Sequence, residues 1–403
     1  MELATRISIR PVTSIDAADR VLRVIDDDRA AMVDLLTALV AIPTENPPAT
    51  TYGACVDHLE SAIDRLGLRR ERLEIPSPPG APRSAVRAWV GEAGPVLYFH
   101  GHYDVVPAAS RDQFAPRVEG DTVFGRGSSD MKSGLVAMLH AAHALKASGM
   151  PLGGRIGLVF VPDEETGGAY GSAALAAQGE LAADGIGMLL PEPTSGAVWH
   201  ANRGAITLEV TIAGRAAHVG LARTGINALE RAMPMLERLF DYARELDASR
   251  HSVLLVGGRM EAGTNFNVVP DRCRFTVDRR TNPDEDFEAE KRALLDLVGR
   301  AFKDADHVDI RTIQEGRSAL TPPDSPLARA LADSIHDVTR EPAWFETCPG
   351  LLENRFYAER GVPALAYGPG ILAVSHGPQE FVRIGRMVDC AKIYALTALR
   401  MLC

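Results

Sequence analysis

The sequence is short of the features that mark several large protein classes. Its five cysteines, Cys55, Cys273, Cys348, Cys390 and Cys403, are odd in number, widely scattered and never arranged as Cys-x-x-Cys. Such usage points to reduced thiols in a cytoplasm and away from a disulfide framework. There is no lysine- or arginine-rich run, and a net charge of −10 argues against a nucleic-acid partner. The opening residues MELATRISIRPV lack the apolar core of a signal peptide, and no segment approaches the length of a membrane span. Internal repeats and low-complexity tracts are absent as well. What is left, at 46% hydrophobic and 24% charged residues, has the composition of a soluble cytoplasmic protein. At 403 residues the chain is too long for one small domain, and two are expected.

Residues 1 to about 16 carry no pattern. From Ala17 to Val40, the spacing of Val21, Ile25, Met32, Leu35, Leu36 and Leu39 predicts a helix. It ends in IPTENPP, where Pro47 and Pro48 force an extended path. A second amphipathic helix spans Tyr52 to Leu66, ahead of strands near Glu71–Ile75 and Ala85–Val90. The stretch VLYFHGHYDVVP (Val96 to Pro107) starts as an apolar run typical of a strand buried on both faces. RIGLVFVPDEETGG (Arg155 to Gly168) and GIGMLLPEPT (Gly185 to Thr194) read the same way, with a helix at Gly134–Ala147 between. Strands alternating with helices predict an α/β fold, a mostly parallel sheet with helices on both faces.

After Asn202 the pattern changes. ITLEVTIAG alternates apolar and polar residues, as a sheet with one wet face does. A long helix (Asn227 to Leu246), the strands SVLLVGGRM and CRFTVDRR, a helix within Asp284–Lys303 and a strand near Val308–Ile313 follow. This block, 204–318, is expected to be a smaller α+β domain inserted between 1–203 and 319–403 of the larger one. The α/β style returns through a helix, the strand ALAYGPG and a final helix, Arg386 to Leu402.

The polar residues crowd the ends of the buried strands. His102, Asp130, the pair Glu164–Glu165, Glu192 and His376 each have a plain structural alternative: a polar loop, an N-cap, a solvated turn, an exposed acid or a loop histidine. Three of these segments directly follow buried parallel-type strands, however, and would meet at one sheet edge, where α/β folds gather ligands. Imidazole and carboxylate ligands suit zinc and similar divalent ions. Five of them, with one carboxylate bridging, suit two ions about 3.5–4 Å apart.

HGHYDVVP, GRGSSDMKSG, PDEETGG, PEPT and SHGPQE resemble, in order and spacing over about Met32 to Leu402, the co-catalytic zinc peptidase and deacylase family. That family includes succinyl-diaminopimelate desuccinylase, acetylornithine deacetylase, aminoacylase-1 and glutamate carboxypeptidase. The resemblance implies that His102 and Glu192 bind one ion, that Glu165 and His376 bind the other, and that Asp130 bridges. It implies two divalent ions, Zn2+ with Co2+ or Mn2+ as alternatives, and a cis peptide after Asp130. Asp104 would orient His102, and Glu164 would be the general base. The inserted block would be a lid and dimerisation domain, with His218 of GRAAHVG an oxyanion donor often delivered from the partner of a homodimer. Asn267 and Arg280 fall at positions similar to substrate-binding residues.

One segment departs from the pattern. Desuccinylases and acetylornithine deacetylases usually have a Gly-Gly-Thr-Asp-like loop that grips the acyl or amino-acid portion. Here it reads CPGLLENRFYAERG (Cys348 to Gly361), so the resemblance does not by itself imply the usual substrates of those enzymes. Arg355 either grips an anionic group or pairs with Glu353 or Glu359, and pairing is the expectation. His140 and His143, three apart on a packed helix with no carboxylate beside them, are expected to be structural, as is His200. His100 is assigned to the last turn of its strand. The expected activity is two-metal hydrolysis of an amide bond in an N-acyl amino acid or small N-acyl amine. The alternatives are a carboxypeptidase or dipeptidase with the same site, and a metal-binding scaffold without catalysis.

Overall fold

Three of the apolar runs lie side by side at the centre of one sheet. The computed structural model describes residues 15–78, 82–300 and 307–403, so the unpatterned amino-terminal stretch lies, up to residue 14, outside the described residues. The chain begins with α1 (Ile15–Asp27), α2 (Arg29–Val40) and α3 (Tyr52–Arg65), then β1 (Arg69–Ile75), β2 (Arg83–Val90) and β3 (Val96–His102). After β4 (Arg117–Glu119) and β5 (Thr122–Phe124) come α4 (Ser133–Ala147), β6 (Arg155–Val161), α5 (Ser172–Ala177), β7 (Gly185–Leu190) and β8 (Val198–Asn202). Next are β9 (Gly204–Ala213), α6 (Ala228–Arg250), β10 (Val253–Ala262), β11 (Arg272–Thr281), α7 (Phe287–Arg300) and β12 (Val308–Gly316). The chain closes with β13 (Ala319–Leu320), α8 (Pro326–Thr339), β14 (Phe345–Cys348), α9 (Asn354–Ala358), β15 (Ala364–Ala366), β16 (Phe381–Arg383) and α10 (Ile384–Leu402).

Two compact units result. One takes the chain up to His200, Leu320–Thr347 and Glu353–Cys403; the other takes Ala201–Ala319 and Cys348–Leu352. In the first unit the strand order is β1-β2-β6-β3-β7-β15-β8-β13, with β14 on β8. β3 runs parallel to both β6 and β7, and β15 runs parallel to β7, whereas β1, β2 and β8 pair antiparallel at the flanks. The fold is therefore α/β with a parallel centre. Every residue of β3 is buried, and successive side chains serve opposite faces. Leu97 and Phe99 join the core built with α4 and α10, while Tyr98 and His100 meet Tyr357 of α9. Burying a side chain such as Phe99 completely contributes about 1.5–3 kcal/mol.

The helix expected over Ala17–Val40 is two helices, α1 and α2, broken at Asp28. The carboxylate of Asp28 is engaged by His140 Nδ1 of α4 at 2.8 Å, and Asp is a poor helix-interior residue. His140 and His143 thus do have a carboxylate beside them, contrary to the sequence reading. Neither belongs to a converging set of three metal-ligating side chains among the described residues.

The second unit is a four-stranded antiparallel sheet, β10-β11-β9-β12. The alternation of β9 sends Ile206, Leu208, Val210 and Ile212 into a core with Ala228, Ala232, Met235 and Leu239 of α6. Asn227 caps α6 by accepting from the N–H groups of Leu229 and Glu230.

Candidate active site

Parallel pairing brings the polar strand ends to one level. His102, the last residue of β3, is in register with Val161, the last of β6, and β7 stops two residues before Glu192. His102 Nε2 lies 3.4 Å from Asp130 Oδ1 and 3.9 Å from Glu192 Oε1. His376 Nε2 lies 3.3 Å from the other oxygen, Asp130 Oδ2, and 3.3 Å from Glu165 Oε2. Two sets of three side chains, His102–Asp130–Glu192 and Asp130–Glu165–His376, each have their ligand atoms within 4.8 Å of one another. Asp130 is common to both and turns one oxygen to each.

The ring of His102 is fixed by a bond from Nδ1 to the backbone carbonyl of Asp104 at 3.0 Å, with the Asp104 carboxylate 3.5 Å away. A proton on Nδ1 leaves the Nε2 lone pair facing two carboxylates, which are acceptors only. Asp104 in turn accepts from the backbone N–H groups of Glu164 and Glu165, each at 3.2 Å. One buried carboxylate therefore ties the end of β3 to the turn after β6. The peptide between Asp130 and Met131 is cis.

The charges of this cluster oppose one another. Burial pushes the Glu192 carboxyl up to about 8, reinforced by Asp130 and relieved by His102. Burial also raises Glu164 well above the usual carboxylate range, with His102 pulling down and Glu192 and Glu165 pushing up. Glu165 is raised by burial, against a bond from His376. Bonds to Asp130 and Glu165 hold His376 protonated up to about 10. Burial disfavours the Asp130 anion, but His102 and His376 outweigh it and lower its pKa. In addition Glu165 Oε1 and Glu192 Oε1 are buried with no hydrogen-bond partner. Buried, unpartnered carboxylate oxygens beside two imidazole nitrogens are what a divalent cation satisfies once it displaces the histidine protons, and the donor set fits zinc-like ions.

Three supports escaped the sequence reading. Glu380, in the SHGPQE segment, accepts from the N–H groups of Gly127, Ser129 and Asp130 at 3.0, 2.9 and 3.0 Å. It also pairs with buried Arg126, whose other arm donates to the carbonyl of His376 at 3.0 Å. Glu380 and Arg126 thus fasten the Asp130 loop to the His376 loop. His100 is not idle: its ring bonds Glu353 Oε2 at 2.9 Å, Tyr357 Oη at 3.1 Å and Ser172 Oγ at 3.0 Å. Arg355 is buried, donates to the carbonyl of Gly167 at 3.1 Å and lies over the Phe356 ring. Burial lowers the pKa of its guanidinium, opposed by Glu353 first and by Glu164 and Glu359 behind it. The third support is Asn46, which reaches Asp104 with its amide at 3.0 Å. The visible signal for Glu380 was a carboxylate four residues after His376; Arg126 and Asn46 had none.

His218, Asn267 and Arg280 lie in the second unit. His218 is exposed, and its Nδ1 accepts from the Gly220 N–H at 3.1 Å, so the neutral ring carries its proton on Nε2. Asn267 is its neighbour across a bridge between His218 and Val268. Arg280 pairs with Asp278 at 2.9 Å; the adjacent Arg279 is the buried one, held by Glu285 and Glu290. His200, in the first unit, bonds the Thr321 carbonyl at 3.2 Å.

The sequence profile of peptidase family M20/M25/M40 matches residues 98–400. A probable succinyl-diaminopimelate desuccinylase from Staphylococcus epidermidis is 26% identical over 397 residues, covering 90% of this chain and 95% of its own. An acetylornithine deacetylase from Myxococcus xanthus is 26% identical over 387 residues, covering 92% and 97%. Among solved structures, the di-peptidase Dug1p from Saccharomyces cerevisiae has a TM-score of 0.77 at 17% identity, covering 95% of this chain and 98% of its own, a likeness of fold.

Proposed function

Because the chain belongs to peptidase family M20/M25/M40, a family of amide-bond metallohydrolases, we propose that it deacylates an N-acyl amino acid or a related small N-acyl amine. The observation that carries this reading is the division of Asp130 between two histidine–carboxylate pairs, with Glu164 a member of neither yet under the electrostatic influence of His102, Glu192 and Glu165. His102 and Glu192 would hold one divalent ion, Glu165 and His376 the other, and Asp130 both. Such a pair, Zn2+ or else Co2+ or Mn2+, supplies Lewis-acid polarisation of the amide carbonyl and acidification of water.

The side chains then divide the work. Glu164, half-buried and with its pKa raised, takes a proton from the attacking water on its carboxylate and passes it to the departing nitrogen. Asp104 keeps His102 and the backbone of Glu164 and Glu165 in place. In the second unit, the Nε2–H of His218 is suited to donate to a developing oxyanion, delivered from the partner subunit of a homodimer. Asn267 and Arg280 would bind the substrate, the arginine because its fork matches a carboxylate. The protein would work in the cytoplasm.

The test pairs metal analysis with one variant. Protein stripped by a chelator and reloaded should hold about two ions per chain. Glu164→Gln should keep them yet lose turnover of N-acyl amino acids by about 10²–10⁴-fold. Full activity without metal, or in Glu164→Gln, would sink the proposal, and hydrolysis of dipeptides alone would replace deacylation with peptidase action.

A further inference from the structure

We infer that Asn46, in the IPTENPP turn, is a positioning residue for the active site: its amide cross-links the buried carboxylates of Asp104 and Asp163 and so sets the turn that carries Glu164 and Glu165. The inference rests on the roles proposed above for those residues.

The main chain at Asn46 is held independently of its side chain. Its N–H donates to the Val105 carbonyl at 2.8 Å, Val105 N–H donates to the Thr44 carbonyl at 3.0 Å, and Thr44 Oγ1 donates to the Tyr103 carbonyl at 2.6 Å. Residues 44–46 therefore run alongside 103–105, extending the sheet edge just beyond His102. From this fixed base the side-chain nitrogen meets three oxygens: Asp104 Oδ2 at 3.0 Å, Thr166 Oγ1 at 2.9 Å and Asp163 Oδ1 at 3.2 Å. Carboxylates only accept, so the NH2 end of the amide must face them. Its two hydrogens serve Asp104 and Thr166, and the Thr166 hydroxyl in turn donates to Asp163 Oδ1 at 3.1 Å.

Both carboxylates are buried, Asp104 at 0% and Asp163 at 2% exposure. Asp104 carries the N–H groups of Glu164 and Glu165 and flanks His102. Asp163 starts the turn in a left-handed conformation (φ 74°), anchors the Tyr170 N–H at 2.9 Å and faces Arg83 at 3.4 Å. A neutral double donor is the group that can stand between two such anions and hold both, Asp104 directly and Asp163 through the Thr166 hydroxyl. Aspartate, of the same shape, would offer no hydrogen and add a third negative charge.

Asn46→Asp and Asn46→Ala in the full chain test the role. Zn2+ or Co2+ affinity is measured by competition with a chromophoric chelator, the cobalt absorption spectrum is recorded, and kcat and KM are taken on an N-acyl amino acid. Loss of a group that holds ligand-bearing backbone typically costs about 10–100-fold in metal affinity or activity. Asn46→Ala should fall in that range in ion affinity and in kcat, with KM little moved, and Asn46→Asp should fall further. A merely structural asparagine would lower the melting temperature and leave the ion affinity and cobalt spectrum of the folded fraction unchanged; that result overturns the inference. Should Asn46→Ala fail to fold, Thr166→Val removes the relay to Asp163 from an exposed position and must weaken the ions in the same direction. Wild-type affinity in Thr166→Val and Asn46→Asp together likewise overturns it. If Glu164→Gln stays active, the functional reading fails whatever Asn46 does, whereas a dead Glu164→Gln beside unchanged Asn46 variants removes this inference alone.

Discussion

The two halves of the site share the Asp130 bridge and the Asp104 brace, yet they are held in different ways. On the His102 side every potential ligand is buried and comes from, or directly follows, a structured element: His102 ends β3, Glu192 follows β7, and Asp104 braces the ring from behind. On the His376 side the histidine sits on a loop with φ 64°, its side chain 53% exposed, held at its carbonyl by Arg126. A side chain fixed by packing and by a neighbour's hydrogen bond loses little entropy on taking a ligand, while an exposed one must be ordered at the moment of binding. The same chemistry has been built once into the sheet and once onto its rim. The buried half should be the tighter and slower to exchange, and the open half the one that responds to solvent.

The largest effect is expected where the halves join. Asp130→Ala should abolish binding of both ions and reduce turnover to background; retention of one tight ion would mean the bridging carboxylate serves a single half. Next come the separate histidines. His376→Ala should cost one ion and, by removing the cation that pairs with Asp130 and Glu165 from a half-exposed position, lower the melting temperature of the metal-free protein only modestly. His102→Ala should cost an ion and lower that melting temperature further, because it empties a buried position between Asp104 and Glu192. Equal losses of stability in the two variants would dissolve the contrast between buried and open halves.

A pH dependence follows from the same charges. Glu192, at about 8, and His376, at about 10, both bind protons more tightly in the folded metal-free protein than in the unfolded chain. Their stabilising contribution is therefore complete below the unfolded values and is lost as pH rises, from about 4.5 to 8 for Glu192 and from about 6.5 to 10 for His376. The metal-free protein should melt lower at pH 9 than at pH 6. Ions compete with those protons, so the increase in melting temperature on adding metal should grow over the same interval. A metal increment that shrinks toward pH 9 would contradict this assignment of the protons.

Much of this was readable from residue order. Continuous apolar runs ending in acids or histidine announce parallel strands, and β3, β6 and β7 are adjacent and parallel. What connects them was not readable, because it depends on partners far apart in sequence. IPTENPP was read for its prolines, since a single asparagine in a turn gives no hint that its amide will find Asp104 and Asp163. Glu380 was quoted beside His376 without a role, because three backbone N–H groups carry no side-chain signature. Asp28 reads as one polar residue in a long helix, and nothing near it in sequence announces its approach to His140. The sheet order also eluded periodicity, which reports whether a strand is buried but not which strand lies next to it.

That order has a consequence for how the protein is made. β15, one of the last strands to leave the ribosome, does not take the outer edge; it fits between β7 and β8. Until Ala364–Ala366 emerge, β7 keeps an unpaired apolar edge, the kind of surface that recruits other chains. A chain halted shortly before Ala364 is expected to aggregate even though four of the five proposed ligands are already made, and sedimentation of stalled chains of graded length would reveal the point at which the hazard ends.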